Sequence, residues 1–123
     1  MANRRMNLTG TGKEILDNLC ETLEIERPFG VKIAFSKGLS ASNGVINNEI
    51  KDDKAKWTIP DNIIRDKEFI LFKHLIINEV GKSLNDEEIH QYLLAYIEYG
   101  LRIIKDEIES LSTLEDYRIK ILG

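Results

Sequence analysis

With 123 residues, 42% of them hydrophobic and 31% charged, the chain has the size and composition of one globular domain able to bury its own core, which excludes fibrous and low-complexity classes. A formal net charge of −4 speaks against a protein that coats nucleic acid indiscriminately. The single cysteine, Cys20, excludes a disulfide framework and fits a reducing compartment.

An extended stretch, Arg5-Met6-Asn7-Leu8, comes first. Thr11 and Glu14 then have the spacing of a capping box. Ile15, Leu16, Leu19, Cys20 and Leu23 follow at helical intervals, predicting a helix over about 12–23. Pro28 suits the first turn of a second helix, with Phe29, Ile33 and Ala34 as its apolar stripe and Gly38 as its end. Small polar residues from Ser40 to Gly44 predict a turn.

Residues 45–60 are compatible with a short strand at Lys56-Trp57-Thr58-Ile59 or with an irregular excursion, and Pro60 ends the segment. A third helix is expected from Asp66 to Val80, with Phe69, Phe72, Leu75, Ile76 and Val80 inward and Gly81 just beyond. Asn85 and Glu88 cap a long helix over about 86–111, whose stripe runs through Ile89, Leu93, Tyr96, Ile103 or Ile104, Ile108 and Leu111. Gly100 interrupts that helix and predicts close approach of another backbone. The tail from Leu114 to Gly123 has room for one short element, docked on a neighbouring subunit. The expected fold is therefore a single mainly α domain over 1–123. It has a short extended start, reminiscent of a ribbon-helix-helix, and a long C-terminal helix. No apolar run reaches the length of a membrane span, and none follows Arg4 and Arg5 as in a signal peptide, so a cytoplasmic location is expected.

Chemistry-bearing motifs are sparse. Gly10-Thr11-Gly12-Lys13 looks like part of a phosphate loop, but Glu14 stands where Ser or Thr is needed, so a plain helix start is the expectation. His74 and His90 lie on different helices without ligand spacing, and Asp86, Glu87 and Glu88 suit a helix N-terminus, so no metal site is expected. Cys20 reads as a core residue, and no nucleophile–base set appears. The chain is expected to be non-catalytic and to need no cofactor. Tyr92, Tyr96 and Tyr99 share a helix face suited to packing; base stacking is the other use of such rings, and the same holds for Trp57.

Charge is unevenly distributed. Residues 1–38 hold six Lys/Arg against five Asp/Glu, and residues 39–123 hold eleven against sixteen. Arg4, Arg5, Lys13, Lys32 and Lys37 are the candidate phosphate contacts, with ordinary solubilising charge as the alternative. A helix start at Lys13 also offers free amides to a phosphate.

The segment from Leu23 to Leu39, with Lys32-Ile33-Ala34 at its centre, resembles the signature of the DndE family of bacterial DNA sulfur-modification proteins. Arg4-Arg5-Met6-Asn7-Leu8 is similar to the family's basic start. Leu84 to Glu88 and Ala95 to Leu101 are similar to its C-terminal helix, glycine included. Val31 and Lys32 replace a cysteine and arginine often found there, and Tyr96 replaces a histidine. Lys32 keeps the charge without the guanidinium's fork. The resemblance implies a small helical homotetramer in the phosphorothioation system that binds nicked duplex DNA through backbone phosphates, beside other sulfur-modification proteins. Two rival expectations are a ribbon-helix-helix repressor reading bases and a structural adaptor that never touches DNA.

Overall fold

A computed structural model describes residues 6–42, 57–60 and 63–110. Arg4, Arg5, the loop beyond Ser42, residues 45–56, Leu111 and the 114–123 tail lie outside the described residues. The elements run β1 (Met6–Leu8), α1 (Gly10–Leu23), α2 (Arg27–Ala41), β2 (Trp57–Ile59), α3 (Asp66–Val80) and α4 (Asp86–Ser110). The domain is mainly helical, with the short N-terminal strand and long last helix that the sequence predicts.

β1 and β2 form a small antiparallel pair, with Met6 opposite Ile59, Asn7 opposite Thr58 and Leu8 opposite Trp57. Leu8 and Ile59 turn inward and are buried, while Thr58 Oγ1 donates to Asn7 Oδ1 at 2.6 Å on the outer face. One edge of β1 is thus occupied by a strand of the same chain. A ribbon-helix-helix repressor gives its strand to a second copy instead.

Buried Ile15, Leu16, Leu19 and Leu23 seat α1 on the core, while Cys20 is half-buried at its margin. On α2 the inward face is Gly30, Val31, Ala34, Phe35 and Gly38, so the expected stripe is rotated: Phe29 is exposed and Ile33 half-buried. Phe29 lies one position after Pro28, in the first turn, where its ring projects to solvent rather than toward α4. Gly38 does not end α2, which continues to Ala41.

Gly38 has a different task. The most extensive contact between elements is that of α2 with α4, and a glycine on each helix forms their crossing. A Cβ on Gly38 would overlap the Tyr96 carbonyl, and one on Gly100 would overlap the Ala34 carbonyl and sit 2.9 Å from Gly38 N. The predicted close approach at Gly100 is borne out. Backbone-to-backbone contact at this point lets Ala34, Phe35, Tyr96, Ile97 and Leu101 pack around it with almost no exposure.

Phe35 joins the third helix to this crossing, 4.4 Å from the Phe72 ring and 6.1 Å, edge-on, from Tyr96. Tyr96 is fully buried, as the packing expectation requires, with Tyr92 half-buried and Tyr99 exposed. Burial pushes the Tyr96 hydroxyl pKa up, against a lowering influence from the Ser42 side chain. On α3, Phe69, Phe72 and Ile76 are buried and Gly81 closes the helix at φ 83°. Leu75 departs from expectation, at 38% exposure.

Asn85 and Glu88 do form a reciprocal cap on α4: Glu88 N donates to Asn85 Oδ1 at 2.9 Å and Asn85 N to Glu88 Oε1 at 3.1 Å. His90 stacks on Phe69 at 5.0 Å, and its Nδ1 lies 2.7 Å from the Asp86 carbonyl. A carbonyl can only accept, so Nδ1 carries the proton. Ile104, rather than Ile103, is the buried member of that pair. No helix among the described residues is long and apolar enough to cross a membrane.

Candidate nucleic-acid interface

The α1 start is built from a local cap and a distant one. Thr9, not Thr11, is the N-cap: its Oγ1 accepts from Gly12 N at 2.9 Å. The carboxylate that completes the box is Glu98 of α4 rather than Glu14, which is exposed. Glu98 Oε2 accepts from Thr9 N at 2.8 Å and Oε1 from the Thr9 hydroxyl at 3.1 Å. Arg102, one turn further along α4, donates to Oε1 at 2.7 Å and to the Glu98 carbonyl at 3.1 Å. Glu98 is only 1% exposed. Charge-assisted bonds of about 1.5–3 kcal/mol each and the positive end of the helix dipole offset its desolvation.

This arrangement explains Gly10-Thr11-Gly12-Lys13. A Cβ on Gly12 would collide with Glu98 Oε1. The glycine admits an anion to a helix N-terminus, as in a phosphate loop, but that anion is Glu98. The helix start is thus the plain one that the sequence predicts, and the amides it could have offered to a phosphate are occupied from within the chain.

The three described candidate cations do not converge on one surface. Lys32 Nζ lies 2.7 Å from Glu68 of α3, and Lys37 Nζ 2.9 Å from the nearly buried Glu107 of α4. Hydrogen bonding from Lys32 chiefly holds the Glu68 carboxyl below its usual range. Each of these pairs is neutral as a unit.

Lys13 is placed differently. Its Nζ lies 2.9 Å from Asp17 Oδ2, and Arg27 Nε lies 2.9 Å from Oδ1 of the same carboxylate. Arg27 also sits over the Trp57 ring, 5.4 Å from its centroid. Burial raises the Asp17 pKa, but hydrogen bonds and charge from Lys13 and Arg27 outweigh that and hold it below 3.8. Two cations, 37% and 46% exposed, therefore share one anion and leave a net positive cluster between α1 and α2.

Arg27, Asp17, Glu98 and Arg102 escaped the sequence reading. The four-residue spacings of Lys13 with Asp17 and of Glu98 with Arg102 were the available signal. A shallow groove of about 210 Å³ lies beside this region, lined by Thr11, Glu14, Ile15, Asn18, Lys105 and Ile108 among others. Among the described residues no group of three or more His, Cys, Asp or Glu side chains is placed to hold a metal. Comparison with family models, curated proteins and solved structures finds no match to the chain.

Proposed function

We propose that the chain is a non-catalytic DNA-binding accessory protein of the bacterial DNA phosphorothioation system. The supporting observation is the Lys13–Asp17–Arg27 cluster, in which two half-exposed cations are held in place by one carboxylate. A phosphate can take either cation without leaving Asp17 unpaired. Trp57 beneath Arg27 limits the guanidinium's freedom, which lowers the ordering cost of contact. The DndE-like segments add the expectations of a homotetramer, a preference for nicked duplex and work beside the proteins that carry out the sulfur chemistry. Arg4 and Arg5, just ahead of β1, complete the proposed contacts. Lys32 and Lys37 contribute only on leaving Glu68 and Glu107.

Those same two neutral pairs favour a second reading, an adaptor of the modification complex that does not contact DNA. A fluorescence-anisotropy titration with nicked, intact and single-stranded DNA at two salt concentrations separates the two. Phosphate binding predicts a steep loss of affinity with salt, the slope falling by about 0.9 for each contact removed. Lys13→Ala/Arg27→Ala should weaken binding more than Lys32→Ala/Lys37→Ala. Absence of binding at low salt, or an affinity unmoved by the first double variant, refutes the DNA reading.

A further inference from the structure

The outward side of α3 carries an organised surface that the proposed DNA contacts do not use. Lys67, Ile70, Leu71, His74, Leu75 and Asn78 are all exposed. They recur at intervals of three, four, seven, eight and eleven from the first, so they form one continuous ridge. Its three aliphatic side chains are 55%, 54% and 38% exposed for Ile70, Leu71 and Leu75. The opposite side of α3 already supplies Phe69, Phe72 and Ile76 to the core. A helix apolar on both sides is built to be covered on both.

Charge around the ridge indicates what covers it. Exposed Arg65 precedes the helix, Lys67 lies on it, and exposed Lys82 follows it. Of the carboxylates in the α3 sequence, Asp66 follows Arg65 and precedes Lys67, Glu68 is engaged by Lys32, and Glu79 is half-buried. Cations thus rim an aliphatic centre. A second copy of the same ridge would bring like charges together, and duplex DNA would strand three aliphatics against phosphates. We infer that this ridge is a docking site for an acidic amphipathic helix of a partner protein. Leucine-type anchors on that helix would meet Ile70, Leu71 and Leu75, and its flanking carboxylates would meet Arg65, Lys67 and Lys82. At 1.5 Å per residue α3 offers about four turns of length to such a helix.

The inference is independent of the DNA reading, because Lys13 and Arg27 take no part in it. The probes are two synthetic helical peptides of about four turns with the same leucine stripe, one flanked by glutamates and the other by lysines. Binding to the intact protein is read by fluorescence anisotropy. The acidic peptide should bind about tenfold or more tightly than the basic one. Leu71→Ser/Leu75→Ser should weaken the acidic peptide about tenfold or more while the far-ultraviolet circular dichroism stays helical, and Lys67→Glu should weaken the acidic peptide alone. Equal affinity for both peptides, no binding of the acidic one, or binding unaffected by the double serine variant overturns the inference. So does self-association in sedimentation that the double variant abolishes, which would make the occupant a second copy. Tighter binding to phosphatidylserine vesicles than to the acidic peptide would make it a lipid surface and equally overturns the assignment.

Discussion

Replacing Gly100 with alanine isolates the helix crossing from every other contribution to stability. In an exposed helix interior the change gains about 1 kcal/mol, because alanine loses less backbone freedom. Here the new methyl would overlap the Ala34 carbonyl and stand 2.9 Å from Gly38 N, and both obstacles are backbone. α2 and α4 must then separate, loosening contacts among Ala34, Phe35, Tyr96, Ile97 and Leu101, all nearly or wholly buried. Overpacking of this kind costs about 1–3 kcal/mol or more, and the upper end applies where no side chain can rotate away. After the propensity gain, the net loss should be about 2 kcal/mol. At this chain length that corresponds to a fall in Tm of roughly 6–12 °C. Urea denaturation followed by helical circular dichroism measures it, with an unchanged m-value certifying the two-state comparison. A Gly100→Ala variant that is neutral or more stable would refute the crossing as described.

Substitutions at two further residues probe the α1 start and the cationic cluster. Glu98→Ala removes the acceptor for Thr9 N, the Thr9 hydroxyl and Arg102, and should cost about 2–4 kcal/mol in denaturant unfolding. Glu98→Gln keeps a carbonyl for the Thr9 amide and should lose about half as much. Asp17→Asn should tighten DNA binding and steepen its salt dependence, because Lys13 and Arg27 lose their shared anion. Hydrogen bonds and charge from Lys13 and Arg27 outweigh burial and hold the Asp17 carboxyl below its ordinary value in the folded protein, so its ion pairs contribute fully above the ordinary aspartate range. The contribution is lost as pH falls through the lower folded value. The stability gap between wild type and Asp17→Asn, measured across a pH series, should therefore be full at neutral pH and close as pH falls through the ordinary aspartate range and below it.

What could be read from the sequence was whatever depends on neighbours along the chain. Gly81, the Asn85/Glu88 box and the apolar spacing placed α3 and the start of α4 where the structure has them. Gly100 was legible as a close approach because a glycine costs stability inside a helix without such a reason. Gly38 misled, since a glycine near a helix end has a local use as a terminator that masks a tertiary one. Thr11/Glu14 offered a plausible local cap, but Thr9 won because Glu98 reaches its amide from 89 positions away. The candidate lysines were recognisable as cations, whereas their partners, Glu68 and Glu107, lie on helices brought alongside only by folding. Composition can supply a charge; it does not say which carboxylate will stand beside it.

The bond between Thr9 and Glu98 also sets an order of assembly. A ribosome makes α1 well before it makes residue 98, and until α4 is available the Thr9 amide and the proton of its hydroxyl have only water to accept them, although the hydroxyl oxygen can already cap Gly12 N. The bonds to Glu98 wait for a closure spanning 89 residues, a contact of the kind that slows folding. The β1–α1 junction is thus completed only after α4 has been made, long after its own residues.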